Sequence, residues 1–194
     1  MMYSLYIKRF IDLIIVFCAL VIIGPILLFT TIFLCFANKG AGVFFTQDRP
    51  GQYSKIFKVI KFKTMTDECD EGGNLLPDEK RLTKMGKFVR STSIDELPQF
   101  WNVFIGDMSL VGPRPERAYY IEQIIKRAPH YSLLHQIRPG ITSWGMVKFG
   151  YARNIDEMIE RLKYEILYLE NMSLIVDFKI IIYTIKTVVT GKGI

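Results

Sequence analysis

The sequence predicts a mainly helical α+β protein. An N-terminal membrane helix precedes a helical domain that carries one small β-hairpin and helices lying at a membrane surface. Three observations predict it. No charged residue occurs from Leu13 to Asn38, a run of 26. The 156 residues from Lys39 onward hold 23 of the 25 Lys and Arg and 18 of the 19 Asp and Glu. Within that polar part, helical apolar spacing dominates and one stretch reads as paired strands. A composition that is 50% hydrophobic and 13% aromatic excludes a disordered chain, and three cysteines without C-x-x-C spacing give no disulfide, zinc or redox framework. The net charge of +6 suits an anionic leaflet, nucleic acid or phosphorylated ligands, and does not choose among them.

The first element is the apolar segment, residues 1–38. As a helix, its uncharged run spans about 39 Å against a hydrocarbon core of about 30 Å, so a single spanning helix is one reading. Two features favour a re-entrant segment. Gly24-Pro25 lies near the midpoint, where the missing proline N–H predicts a sharp kink. Both flanks are basic, with Lys8 and Arg9 before the run and Lys39, Arg49, Lys55, Lys58, Lys61 and Lys63 after it. Positive charge on both sides places both ends at the cytoplasmic face. Asp12 either pairs with Lys8 or Arg9, one turn away, or simply sits at the interface.

Residues 39–194 then read as a cytosolic, membrane-associated domain. Val43–Gln47 and Tyr53–Met65 flank an Asp-Arg-Pro-Gly turn and form the hairpin. The lysines of its second strand are either a solvated edge or an anion-binding row. Residues 67–80, acidic with Gly-Gly and Pro, read as a mobile solvated loop, and Leu82–Arg90 as a short helix. Residues 117–136 and 154–171 have helical spacing. Ile121, Ile124 and Ile125 mark one face and Met158, Ile159, Leu162, Ile166 and Leu169 another, and both read as core or membrane-facing stripes. The segment 173–190 is apolar but interrupted by Asp177, Lys179 and Lys186, and too short to span, so it reads as an interfacial helix. His130 and His135 have no partnered cysteine and read as surface residues rather than metal ligands.

The chemistry concentrates between Arg90 and Glu116. Ser93-Ile94-Asp95-Glu96-Leu97-Pro98-Gln99 matches a capping box, with either Ser93 or Asp95 as the N-cap; both readings put two adjacent carboxylates at a helix start. Such a start attracts anions, yet two carboxylates repel a phosphate unless a cation intervenes; a hard ion such as Mg²⁺ resolves this. Gly112-Pro113-Arg114-Pro115-Glu116 is either a rigid surface loop or a pre-oriented guanidinium for a diphosphate.

At this point the sequence resembles the small bacterial polyprenyl-phosphate phosphoglycosyltransferases, the initiating sugar transferases of glycan assembly. The resemblance rests on K-R-x-x-D at Lys8 to Asp12, the Gly24-Pro25 pair, D-R-x-G at Asp48 to Gly51, and K-F-K-T-M at 61–65. It continues through S-I-D-E-L-P-Q at 93–99, W-N-V at 101–103, G-D-M-S-L-V-G-P-R-P at 106–115, and R-P-G-I-T at 138–142. It implies a re-entrant helix–break–helix in the cytoplasmic leaflet of the bacterial inner membrane. It implies transfer of a phospho-sugar from a UDP-sugar to polyprenyl phosphate, with Mg²⁺ and release of UMP. Asp95 then matches the nucleophile and a metal contact, and Glu96 the second member of the dyad, acting in proton transfer or positioning. Arg90 and Arg114 match phosphate-site arginines, and Lys61 adds charge. Lys8, Arg9, Asp12, Gly24 and Pro25 match the topology-determining positions. Membrane lipid is an implied partner, and other glycan-assembly enzymes or a second copy of the chain are further ones. Nucleic acid is not, since no binding motif accompanies the basic charge. A non-enzymatic, membrane-anchored scaffold of a glycan-assembly complex is the competing reading. Larger relatives carry extra N-terminal membrane helices, and the sequence opens at the catalytic unit. It departs from the common Gly-Trp-Ala-Gln-Val after Thr142, with Ser143-Trp144-Gly145-Met146-Val147 in its place, so sugar recognition does not carry over.

Overall fold

The computed structural model describes Tyr3 and residues 7–190, except the side chain of Val189. The outermost residues of the two predicted segments, 1–2, 4–6 and 191–194, lie outside the described residues. Helix α1, Lys8–Ala37, opens the chain and strand β1, Phe44–Pro50, pairs antiparallel with β2, Ile56–Phe62. A short α2, Asp78–Arg81, leads into α3, Lys84–Ser91, and α4, Gln99–Ile105. Strand β3, Ser109–Val111, pairs in parallel with β4, Gly140–Thr142, and α5, Ala118–Arg127, lies between them in sequence. Helices α6, Trp144–Lys148, α7, Ile155–Glu170, and α8, Leu174–Thr190, complete the fold. The fold is mainly helical α+β as expected; the parallel β3–β4 pair is an addition.

Helix α1 is one continuous element. The helix runs on through Gly24 and Pro25 instead of separating into two there. Proline removes one donor and crowds the preceding turn, so the helix continues there with one hydrogen bond fewer. A side chain at Gly24 would meet no atom within 4 Å. The apolar face of α1 is largely bare, with Phe10, Phe17, Val21, Ile22, Phe29 and Phe36 all more than 60% exposed. Its ends are not. Val16 enters the main core with Val103, Met108, Leu110 and Tyr168. Leu34 enters a second core with Phe62 and Val89, and Asn38 donates to the carbonyls of Gly42 and Lys63. Both ends of the 30-residue helix are therefore held by the same globular body.

Of the two readings of Asp12, the local pairing does not form: it pairs with neither Lys8 nor Arg9. Lys8 reaches Asp177 of α8. Arg9 donates to the carbonyls of Val103 and Phe104 at the end of α4, where unpaired helix carbonyls favour a cation. Asp12 accepts from the Ser109 hydroxyl at 2.6 Å and from the Leu110 N–H at 3.3 Å. Local i,i+4 pairing is worth only tenths of a kcal/mol, so buried tertiary partners override it.

Other elements form for reasons visible in the residues. The hairpin alternates over its first part: Phe57 and Val59 are buried in the main core, while Lys58 points to water and pairs with Asp48; Phe62, on the opposite face, enters the second core. The side chain of Asn102 on α4 takes the N–H of Ile60 and gives to the carbonyl of Lys58, which satisfies the free edge of β2. The acidic loop is exposed, as expected, and carries its own hydrogen bonds: Asp70 accepts from the N–H groups of Gly72 and Asn74. The predicted helix over 117–136 breaks at Ala128, whose backbone leaves the helical region ahead of Pro129; a 3₁₀ helix, Pro129–Gln136, follows. Asn154 caps α7 as sequence rules favour, accepting from the Glu157 N–H at 2.9 Å.

Candidate active site

The site begins with a sharp reversal after α3. Ser93 takes a left-handed backbone, φ 56°, and one 3₁₀ turn, Ile94–Glu96, leads into α4. No side chain caps this turn, so the expected capping box does not form; Pro98 takes the N-cap position of α4, where no N–H is needed. The two carboxylates still sit ahead of the helix, but their fates differ. Glu96 is turned inward, accepting from the Lys61 ammonium at 2.5 Å and lying 3.7 Å from the Arg114 guanidinium. Burial opposes its charge, but Arg114 and Lys61 outweigh that and hold the carboxyl below the usual range. Asp95 makes no ion pair among the described residues. Burial, reinforced by the Glu96 charge, pushes its pKa up to about 6.

Asp95 faces a cleft of about 510 Å³, large enough for a small ligand. The floor comes from the hairpin. Phe45, Gln47 and Arg49 alternate onto one face of β1, with Lys61 opposite Phe45. The predicted lysine row therefore divides: Lys58 is solvated, while Lys61 turns to the cleft. Arg90 joins from α3 with its Nε donating to Thr64 Oγ1 at 2.8 Å. Five cations line the cleft. Lys61, Lys63 and Arg81 are paired with Glu96, Asp67 and Asp78, and Arg49 lies 3.9 Å from Glu116. Arg90 has no carboxylate within 4 Å among the described residues. It and Asp95 are the two unpaired charges on this wall.

The Gly112–Pro115 loop holds Arg114 through close backbone packing. A Cβ on Gly140 would lie 2.1 Å from the Gly112 nitrogen, so glycine alone permits the approach of the two strands. The N–H of Gly112 donates to Thr142 and that of Gly140 to Pro113, locking the loop. Arg114 stands 4.9 Å over the Tyr151 ring and touches the Met146 sulfur at 3.5 Å. Glu116 behind it pairs with Arg161 of α7, and Arg49 donates to the Pro115 carbonyl at 3.0 Å. Glu165, one turn from Arg161, accepts from the Ser143 hydroxyl at 2.6 Å, while its Oε2 is buried without a partner. Burial pushes its pKa up to about 7.

Lys61, Glu96 and Arg114 are thus in contact, and Asp95 and Arg90 share a cleft with Lys61. Lys8, Arg9 and Asp12 lie elsewhere, at the base of α1. Glu116, Arg161, Glu165 and Ser143 escaped the sequence reading, although a signal existed: Arg161 and Glu165 interrupt the apolar face of α7 one turn apart, among Met158, Leu162 and Tyr168, all buried. No group of three or more His, Cys, Asp or Glu gathers as a metal cage among the described residues.

Comparison with known proteins identifies the family. Residues 3–191 match the family model described as bacterial sugar transferase. The chain is 42% identical to the uncharacterized sugar transferase EpsL of Bacillus subtilis, over 96% of its own length and 89% of that protein. It is 34% identical to the exopolysaccharide production protein PSS of Rhizobium leguminosarum, over 98% and 99%. It is 36% identical to a UDP-N-acetylgalactosamine-undecaprenyl-phosphate N-acetylgalactosaminephosphotransferase of Aeromonas hydrophila, spanning 97% of itself but 45% of that longer protein. A match over nearly the full length, both to a family model and to proteins of similar size, places this chain in the bacterial sugar transferase family.

Proposed function

We propose that this protein transfers a sugar 1-phosphate from a UDP-sugar to polyprenyl phosphate at the cytoplasmic face of the membrane. The observation that carries the reading is the unpaired Asp95 facing a cleft lined by five cations. A UDP-sugar diphosphate fits the charge of that wall, with Arg90 free to receive it and Arg114 held ready by its loop.

An Asp95 carboxylate oxygen attacks the sugar-linked β-phosphorus. The bond from that phosphorus to the bridging oxygen breaks, and UMP leaves with the oxygen. A phosphate oxygen of the lipid then attacks the same phosphorus, the aspartyl–phosphorus bond breaks, and the free carboxylate returns. The product is a polyprenyl diphosphate sugar. Glu96, fixed by Lys61 and Arg114, keeps a negative charge beside Asp95 and so holds both cations at the reacting phosphate. Because both steps pass through one anionic site, one set of cations serves UMP and lipid phosphate in turn.

The family resemblance implies Mg²⁺. The residues present fit an ion held mainly by substrate oxygens, with Asp95 as the protein contact, since this ion often keeps one or two carboxylates and several other oxygens. When bound it neutralises diphosphate charge and stabilises the departing oxygen. The test is UMP release from a panel of UDP-sugars with polyprenyl phosphate and Mg²⁺. Release that needs both additions is expected, and its absence with every donor would sink the proposal in favour of the scaffold.

The re-entrant reading of α1 is supported by its two buried ends, Val16 and Leu34, held on one globular body. Phe10→Cys and Phe36→Cys should both resist a membrane-impermeant reagent added outside cells. Labelling at one of them would restore a spanning helix.

A further inference from the structure

We propose that Lys148 of α6 and Lys179 of α8, set around Trp144 and Tyr183, form the docking point for the phosphate monoester of the lipid acceptor before it reaches Arg114. The inference rests on the reading above and names residues for its second substrate. The Lys148 ammonium lies 4.8 Å from the Trp144 ring centre and 4.7 Å from that of Tyr183. Lys179 lies 5.8 Å from Trp144. The two rings meet edge to face, 6.1 Å apart. No carboxylate lies within 4 Å of either lysine among the described residues, and both are exposed. Ring contacts orient an ammonium without neutralising it, so two charges stand ready for an anion.

The surroundings indicate a lipid-borne anion. On α8, Ile175, Phe178, Ile182 and Ile185 are each more than half exposed and recur at helical spacing, which makes an unburied apolar stripe. Lys179 and Tyr183 lie one step around the helix from that stripe, toward Trp144. Beside them an open crevice of about 210 Å³ is lined by Trp144, Leu167, Tyr168 and Val176, with Asn171 and Lys179 as its polar members. An apolar crevice with Lys179 at its rim suits a phosphate attached to a hydrocarbon chain.

Two arguments favour the acceptor over a bulk phospholipid. A phosphate monoester carries between one and two negative charges at neutral pH, whereas a phosphodiester headgroup carries one, and two ammonium groups match the former. The position on α6 also matters. Met146 touches Arg114, and Lys148, two residues on, faces α8; two residues on a helix differ by about 200°. One short helix thus carries a membrane-side cation on one face and supports the cleft arginine on the other. Tyr151, just beyond it, lies under the same guanidinium.

The experiment measures steady-state UMP release in vesicles by the full chain, varying polyprenyl phosphate and the UDP-sugar separately. Lys148→Ala with Lys179→Ala should raise KM for polyprenyl phosphate about tenfold or more, the usual effect of losing charge-assisted contacts, while KM for the UDP-sugar stays put. Lys148→Arg with Lys179→Arg should restore most of the loss. An unchanged acceptor KM overturns the proposal. So does a loss of binding to anionic phospholipid vesicles that contain no polyprenyl phosphate, which would make the cluster a general membrane anchor. If the unsubstituted chain releases no UMP with any donor, the enzyme reading itself fails and this site with it.

Discussion

Two buried charge clusters sit in this molecule, and they have opposite characters. At the base of α1, Lys8, Tyr3 and Tyr168 all donate to Asp177, and Asp12 is taken up by Ser109 and Leu110. Every charge there has a partner. The cleft cluster also sets basic against acidic groups, Lys61, Arg114 and Arg161 with Glu96, Glu116 and Glu165, and stacks them into a chain. That chain ends at an open cleft, where Asp95 and Arg90 are left without ionic partners. Burial alone therefore does not mark a functional group. Closure marks the structural cluster, and unspent charge facing solvent-filled space marks the site.

Four substitutions sharpen or break that contrast. The largest effect is expected at Asp95. Asp95→Asn should lower UMP release by about a thousandfold or more, the scale of losing a nucleophile, without lowering the thermal unfolding temperature. Retained turnover would remove the functional half of the contrast. At the closed cluster the pattern should invert. Asp177→Asn leaves the Lys8 ammonium buried without its counter-charge and should cost about 3–5 kcal/mol of stability in thermal or denaturant unfolding, with activity per folded molecule preserved.

The third substitution tests the joint between the clusters and the cleft. Glu165 has a folded pKa of about 7, above the usual carboxylate value, because it is buried. Its contribution to stability is therefore complete below about pH 4.5 and is lost as pH rises through about 7, since the unfolded chain releases the proton first. The loss amounts to about 3 kcal/mol. Glu165→Gln should remove that part of the pH slope, read as the difference between the two proteins' stability curves. An unchanged slope would mean that Glu165 is charged in the fold. The smallest effect is expected for Arg114→Lys, which keeps the charge but loses the planar fork. A loss of about tenfold to a hundredfold in kcat/KM for the UDP-sugar is expected, and full activity would show that a point charge suffices.

Much of the architecture was legible because it depends on local pattern. The apolar run, the hairpin, α3, α7 and α8 all follow from hydrophobic period and turn residues. The site was legible in part. Asp95, Glu96 and Arg114 were found through their motifs, and the motif explains itself in structure: Asn102 of W-N-V mends the edge of β2, and Gly112 meets Gly140. The pairing of β3 with β4 was not legible, because three-residue strands have no period and parallel partners lie far apart in sequence. The helix end at Ala128 was missed because apolar spacing outweighed Pro129 in the reading, while the proline decided the backbone.

By itself, then, the sequence determined what each segment would be: which run is long and apolar enough for a membrane, which stretches are helical, and which residues are candidates for reactive chemistry. Only the tertiary structure decided which charges spend themselves on one another. Asp12 and Lys8, one turn apart, chose partners about a hundred residues away or more, and the pKa values of the neighbours Asp95 and Glu96 moved in opposite directions. The reason is physical. Helix and strand patterns are set by side chains a few residues apart, whereas the energy of a buried charge depends on how much water it loses and which countercharge the fold brings within about 4 Å.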